Sequence, residues 1–339
     1  MLGLPRDVVK TEGTEERKMS CPKALPYRWG KLARRQLRRL WFRLFRALEK
    51  LGLHVLPKGF YTPIADYHWL EKNKSAWIGR SRLTGIEWDL DKQLSWLQDI
   101  CCSYYQEVRG LHFCKDDVVR AAGPGYGEIE SQVLHCFVRR TAPQRIVEIG
   151  SGASTMCMLH ATKLNAHDNR SRSQITCIDP YPSRILKSLS NINVIKQPCQ
   201  VVSSTLFQQL QRGDLLFIDS SHAVKVGSDV VRIYSEIIPS LPAGVFIHIH
   251  DINLPYLYSP STLSPYFDAT SQETVLLVAL LTDNKRLSVL ASLSALHYDR
   301  TQRLVELLSD YEPEDHVEGL SSFFPRQKHL PTSTWLCTC

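Results

Sequence analysis

Between residues 128 and 251 the sequence alternates between short apolar runs and stretches of helical period. RIVEI (145–149), ITCID (175–179), INVI (192–195), DLLFID (214–219) and VFIHIHD (245–251) read as strands. GEIESQVLHCFVRR, the segment from Ala153 to about Leu164, SSTLFQQLQ and VGSDVVRIYSEIIPSL read as helices. In the first of these, Ile129, Val133, Leu134 and Phe137 share a face, while Glu128 and Glu130 stand in the first turn, where the helix dipole favours acids. Strands alternating with helices predict an α/β, doubly wound domain on a mostly parallel sheet. Such sheets bind ligands beyond the carboxyl ends of their strands.

That rule organises the polar residues. Glu148 and the turn Gly150-Ser151-Gly152 close the first strand, Asp179 the second, Asp219-Ser220-Ser221-His222 the fourth and His250-Asp251 the fifth. Gly150 and Gly152 permit a tight turn with close approach of a ligand to backbone. A dinucleotide fold wants GxGxxG with pyrophosphate at the helix start. Here the third position is Thr155, and Glu148 precedes the first glycine by two residues. A carboxylate there suits a cationic, phosphate-free cofactor such as S-adenosylmethionine better than a pyrophosphate.

VEIGSGAST, CIDPYP, LLFIDSSH and PAGVFIHIHDI together resemble the class I S-adenosylmethionine-dependent methyltransferases, of the branch that includes the sugar and catechol O-methyltransferases (methyltransferase 24 type). GYGEIESQVLHCFVRR and HVLPKGFYTPIAD are similar to lead-in segments of a bacterial branch of that family. The resemblance covers about residues 123 to 300. It implies a Rossmann-like, seven-stranded sheet and direct methyl displacement, with O-methylation of a small-molecule or glycan hydroxyl. Carried over position by position, Glu148 would hold the glycine loop and approach the methionine end of the cofactor. Gly150, Ser151, Gly152 and Ser154 would line it, and Asp179 would accept from both ribose hydroxyls. Gln200 would face the adenine, with Tyr126 and Glu130 closing the other side. Ser154 stands where many members carry a third glycine.

Metal-dependent members of the family bind magnesium through an acid after strand four and a carboxylate pair after strand five. The matching residues here are Asp219, His250 and Asp251, and the histidine replaces one carboxylate. Magnesium prefers oxygen ligands, whereas manganese, iron or zinc accept imidazole readily. In a metal reading the ion acidifies a substrate hydroxyl. In a metal-free reading His250 or His222 is the general base, since imidazole titrates near working pH. His248, on the same face as His250, reads as a hydrogen-bonded core residue, and Asp229 as an exposed residue of the following helix. Two other functions fit the pattern: a nicotinamide-dependent oxidoreductase on the same architecture, and a catalytically silent methyltransferase-like module tethered to a membrane or partner.

The rest of the chain adds an N-terminal extension. Residues 1–28 read as flexible and carry acids without the apolar segment of a secretory leader. Residues 29–122 read as a helical extension or lid, 123–319 as the cofactor-binding domain and 320–339 as a mobile tail. KLARRQLRRLWFRLFRALEKLGL carries much of the net charge of +7. Its Leu37, Trp41, Leu44, Leu48 and Leu51 recur at helical spacing, which predicts an amphipathic helix that docks on the main domain or on a membrane surface through residues 31–51. No stacking platform or reader motif accompanies the charge, so nucleic acid is not expected as a partner. The ten cysteines include no CxxC pair, which argues against structural zinc and disulfides and for a reduced, cytoplasmic setting. VLLVALL at 275–281 is too short to span a bilayer. FYTPIADYHW and NLPYLYSPSTLSPYF, with Tyr256, Tyr258, Tyr266 and Phe267, are lid candidates.

Overall fold

The protein is described by a computed structural model that covers residues 31–339 except 63, 111–115, 124, 171, 264–270, 318 and 322–327. The flexible stretch expected over residues 1–28 and the lid residues Tyr266 and Phe267 lie outside the described residues. The chain divides into two units after Ala65. In the first, helix α1 spans Lys31–Glu49. Among the described helices none is long and apolar enough to cross a membrane.

The second unit is built on a seven-stranded sheet. Strands β1 (Arg145–Ile149), β2 (Gln174–Ile178), β3 (Ile192–Ile195), β4 (Leu215–Ile218), β5 (Phe246–Ile249), β6 (Leu287–Ser292) and β7 (Thr334–Thr338) lie in the order β3-β2-β1-β4-β5-β7-β6. The five strands read from sequence pair in parallel, and β7 runs antiparallel to both β5 and β6. Chain direction through the sheet reverses between β1 and β4, which sets the crevice where such folds bind ligands.

Side-chain period two divides the core. Leu215 and Phe217 of β4 and Trp335 of β7 face one layer, with α2 (Leu90–Cys101), α3 (Glu128–Thr141) and α4 (Ala153–His167). Leu216, Ile218, Ile247, Ile249 and Leu336 face the other, with α5 (Glu273–Leu281) and the helical run from Asp229 to Ser240. That run widens to a π-helical turn over Ile233–Ile237. In FIHIHD the isoleucines therefore belong to one layer and the histidines to the opposite face. His248 stacks on Phe217 at 4.3 Å and meets Trp335 edge-on at 4.6 Å, the core role expected for it.

Two expected boundaries are corrected. Residues 66–122 are part of the main unit, because Leu97, Ile100 and Cys101 of α2 are buried in the same core as Ile129 and Phe137. The tail expected to be mobile from 320 to 339 contains β7, whose Trp335 is fully buried between β5 and β6.

Candidate active site

The glycine turn after β1 is tight for a visible reason. Gly150 has φ +96°, and a Cβ placed on it would stand 2.6 Å from the Asp219 carbonyl oxygen. No side chain fits there, so the ends of β1 and β4 touch backbone to backbone. Gly152 meets Gly123 in the same way: a Cβ on Gly123 would lie 3.0 Å from the Gly152 Cα, and the Ala153 N–H donates to the Gly123 carbonyl at 3.1 Å. Gly123 thus lies across the turn.

Glu148 holds this turn from below. It is fully buried; Ser154 Oγ donates to its Oε1 and Thr155 Oγ1 to its Oε2, both at 2.6 Å, and Cys177 Sγ donates at 3.1 Å. Burial pushes its carboxyl up to about 7, against the pull of these donors. Because all of it is enclosed, the expected approach of Glu148 to the cofactor is corrected to a supporting role. Ser154 is likewise buried and turned to Glu148 rather than to the crevice. Its departure from glycine supplies one of the carboxylate's donors.

Asp179 is half-buried at the end of β2, where it accepts from Ser151 Oγ and, at 2.7 Å, from the Tyr181 N–H. An ionised carboxylate has about four acceptor sites, so two remain for a diol. Gln200 lies in the turn after β3 and donates to the Gly227 carbonyl at 3.1 Å. Tyr126 and Glu130, expected to close the other side of the site, are both buried. Tyr126 packs its ring 5.0 Å from His250, and its hydroxyl lies 3.3 Å from His248 Nε2. Glu130 accepts the Thr332 N–H at 2.9 Å, and burial raises its carboxyl above the ordinary range.

The structure brings Asp219, His222 and Asp251 together. His222 Nε2 lies 3.4 Å from Asp219 Oδ1 and 3.6 Å from Asp251 Oδ2, and its Nδ1 lies 2.8 Å from Glu273 Oε2. Burial opposes the charged ring, but Asp219, Glu273 and Asp251 together outweigh it and raise His222 to about 11. This surround favours the imidazolium form and argues against the general-base role expected of His222. His222 and Asp251 both hold left-handed backbone, φ +56° and +55°, a conformation that non-glycine residues adopt at a cost and that clusters at functional sites. His250 is also corrected. It is buried, with Nε2 3.2 Å from the Gly125 carbonyl and 3.5 Å from Asp251 Oδ1, so it sits beneath Asp251 rather than at the surface of the crevice. Burial works against its charge, and Asp251, Asp219 and Glu130 raise it regardless.

A divalent metal does not fit this arrangement. His222 fills the space between the two carboxylates that would share the ion, and His250 is turned to a backbone carbonyl. Among the described residues no group of three or more His, Cys, Asp or Glu could hold a metal ion.

Three supporting residues have roles that the sequence does not show locally. Glu273, fully buried at the start of α5, accepts from Ser220 Oγ as well as facing His222. Thr332, in the segment expected to be mobile, donates from Oγ1 to Asp251 at 2.9 Å. Asp229, expected to be merely exposed, accepts from both the N–H and the hydroxyl of Ser221 and so fixes the loop that carries His222. An acid at a helix start was the one available hint for Glu273 and Asp229.

A glycine turn after β1, an acid after β2 and a polar cluster after β4 and β5 thus stand together at one edge of this strand order. Residues 147–252, from within β1 to just beyond β5, match the methyltransferase 24 family, described as a methyltransferase domain. That match sets aside the oxidoreductase alternative. An uncharacterized protein of Archaeoglobus fulgidus is 29% identical over 176 residues, 48% of this chain and 76% of its own length. Similar solved structures include the S-adenosylhomocysteine-bound methyltransferase PaMTH1 of Podospora anserina (16% identity, 70% of this chain and 93% of that one, TM-score 0.36). Another is the O-methyltransferase TomG of Streptomyces achromogenes, in complex with S-adenosylmethionine (14% identity, 53% and 84%, TM-score 0.38).

Proposed function

We propose that the domain transfers the methyl group to a hydroxyl oxygen of a small-molecule or glycan substrate without a divalent metal. The observation that carries this reading is the cluster of Asp219, His222 and Asp251, one backbone contact from the glycine turn. S-adenosylmethionine, when bound, supplies the electrophilic methyl. Gly150, Ser151 and Gly152 would line it and Asp179 would hold its ribose. Asp219 and Asp251 are the carboxylates of the cluster that stay partly open, with side chains 35% and 49% exposed. Either can accept a hydrogen bond from a substrate hydroxyl, aim its oxygen and take up its proton as the carbon–sulfur bond breaks and S-adenosylhomocysteine leaves, and alignment of this kind supplies much of the acceleration in a displacement. His222, held by the buried Glu273, fixes the spacing of the two carboxylates and offsets their charge. The buried imidazole of His250 supports Asp251 from below.

The test is calorimetric titration with S-adenosylmethionine, once with chelator and once with magnesium or manganese. A methyl-transfer assay on a panel of hydroxylated acceptors under both conditions follows. Binding and turnover that are indifferent to chelator are expected. Turnover that requires added metal would overturn the metal-free reading, and absence of cofactor binding in both conditions would overturn the enzyme reading altogether.

A further inference from the structure

The first unit presents a problem that the methyltransferase site does not answer. Among the described side chains of residues 35–65 none is buried. Leu40 is 65% exposed, Leu44 48% and Trp41 40%. At helical spacing Leu37, Leu40, Trp41, Leu44 and Leu48 fall on one side of α1, while Arg35, Arg39, Arg43 and Arg46 fall on the other. Most helices draw their stability from packing an amphipathic face, which α1 does not do within its unit, and like charges four apart, as in Arg35–Arg39 and Arg39–Arg43, weaken it further. The helix has no acid in its first turn, and its single acid, Glu49, is paired with Arg46 at 3.3 Å. Beyond it the chain continues with exposed Leu51 and Leu53, then Phe60 and Tyr61, each more than 90% exposed. An uncovered apolar face of this extent marks an interaction site.

We infer that residues 31–61 lie on an anionic lipid surface, with the leucine and tryptophan face of α1 in the interfacial region and its arginines against lipid headgroup phosphates. Charge complementarity selects this occupant. A protein groove would satisfy the apolar face but leave the arginine face repelling itself, whereas an anionic bilayer meets both. Arginine stems can lie along the apolar boundary while their guanidinium groups reach the headgroups. Each basic residue close to such a surface strengthens binding by roughly fivefold, so the arginines should give a marked preference for anionic over neutral lipid.

The test uses the full chain and extruded vesicles, of phosphatidylcholine alone or of phosphatidylcholine with one-third phosphatidylserine, in a sedimentation assay. The protein is expected to sediment with the anionic vesicles, to stay in solution with the neutral ones and to be released by high salt. The double variant Leu40→Glu, Leu44→Glu should lose sedimentation while binding S-adenosylmethionine as the parent does. Arg39→Gln with Arg43→Gln should weaken binding to anionic vesicles by about tenfold or more. No sedimentation with either vesicle would overturn the inference. So would sedimentation that survives Leu40→Glu, Leu44→Glu, or a concentration-dependent dimer that the same variant dissolves. Vesicle binding without cofactor binding would leave the lipid inference standing and sink the enzyme reading, so the two fail separately.

Discussion

Asp179 and His222 carry most of the argument at the scale of single residues, and each makes a separate prediction. Asp179 has open acceptor capacity at the end of β2, whereas Asp251 lies across the crevice at the end of β5, beneath the expected substrate. Asp179→Ala should weaken S-adenosylmethionine binding on the order of 10- to 100-fold, the cost of losing hydrogen bonds to a charged group. Asp251→Ala should leave cofactor affinity nearly unchanged; equal losses in calorimetry would contradict the site map. His222 bears on pH. Its folded-state value of about 11 lies above the ordinary histidine value of about 6.5. The folded protein therefore binds the extra proton above neutrality, and the stability it contributes is complete below about pH 6.5 and lost as pH rises toward 11. Thermal scans from pH 7 upward should show a falling Tm in the parent, and His222→Gln should flatten part of that slope. Identical slopes in both would mean that the ring is not charged in the fold. That an acid and an imidazole would stand at these strand ends was legible from the position of Asp219 and His222 after an apolar run. That the imidazole would be held as a cation was not, because two of the three carboxylates around it, Asp251 and Glu273, are remote in sequence.

At the scale of elements the sequence was most readable where strand and helix alternate. Each of β1 to β5 fell within two residues of its expected span, because a short apolar run closed by a polar residue leaves few alternatives. β7 was missed for a physical reason. TWLCT is five residues long, shows no apolar–polar alternation, and gives each layer only one large apolar side chain. What makes it a central strand is pairing with Phe246–Ile249 and Leu287–Ser292, remote in sequence. Trp335 is the residue that tests this. It is fully buried and packs 4.5 Å from Phe137 and 4.6 Å from His248. Trp335→Ala should cost about 3–5 kcal/mol in urea unfolding, as expected for a large aromatic removed from a core. A loss under about 1 kcal/mol would restore the mobile-tail reading.

The whole molecule joins two kinds of order. Its first unit has a helix whose apolar face is unburied, and its second has a sheet closed through both layers. The sheet carries a consequence for how the protein is made. β5 is complete once residue 249 has been added, and β6 once residue 292 has, yet the strand that belongs between them is residues 334–338. During synthesis both must therefore wait with bare edges, and Thr332, which reaches Asp251, arrives with the missing strand. The emerging chain can assemble β1 to β5 but cannot finish the substrate side of its crevice. Premature termination between residues 293 and 333 would thus release a chain with two unpaired strand edges, the kind that aggregates or is held by chaperones.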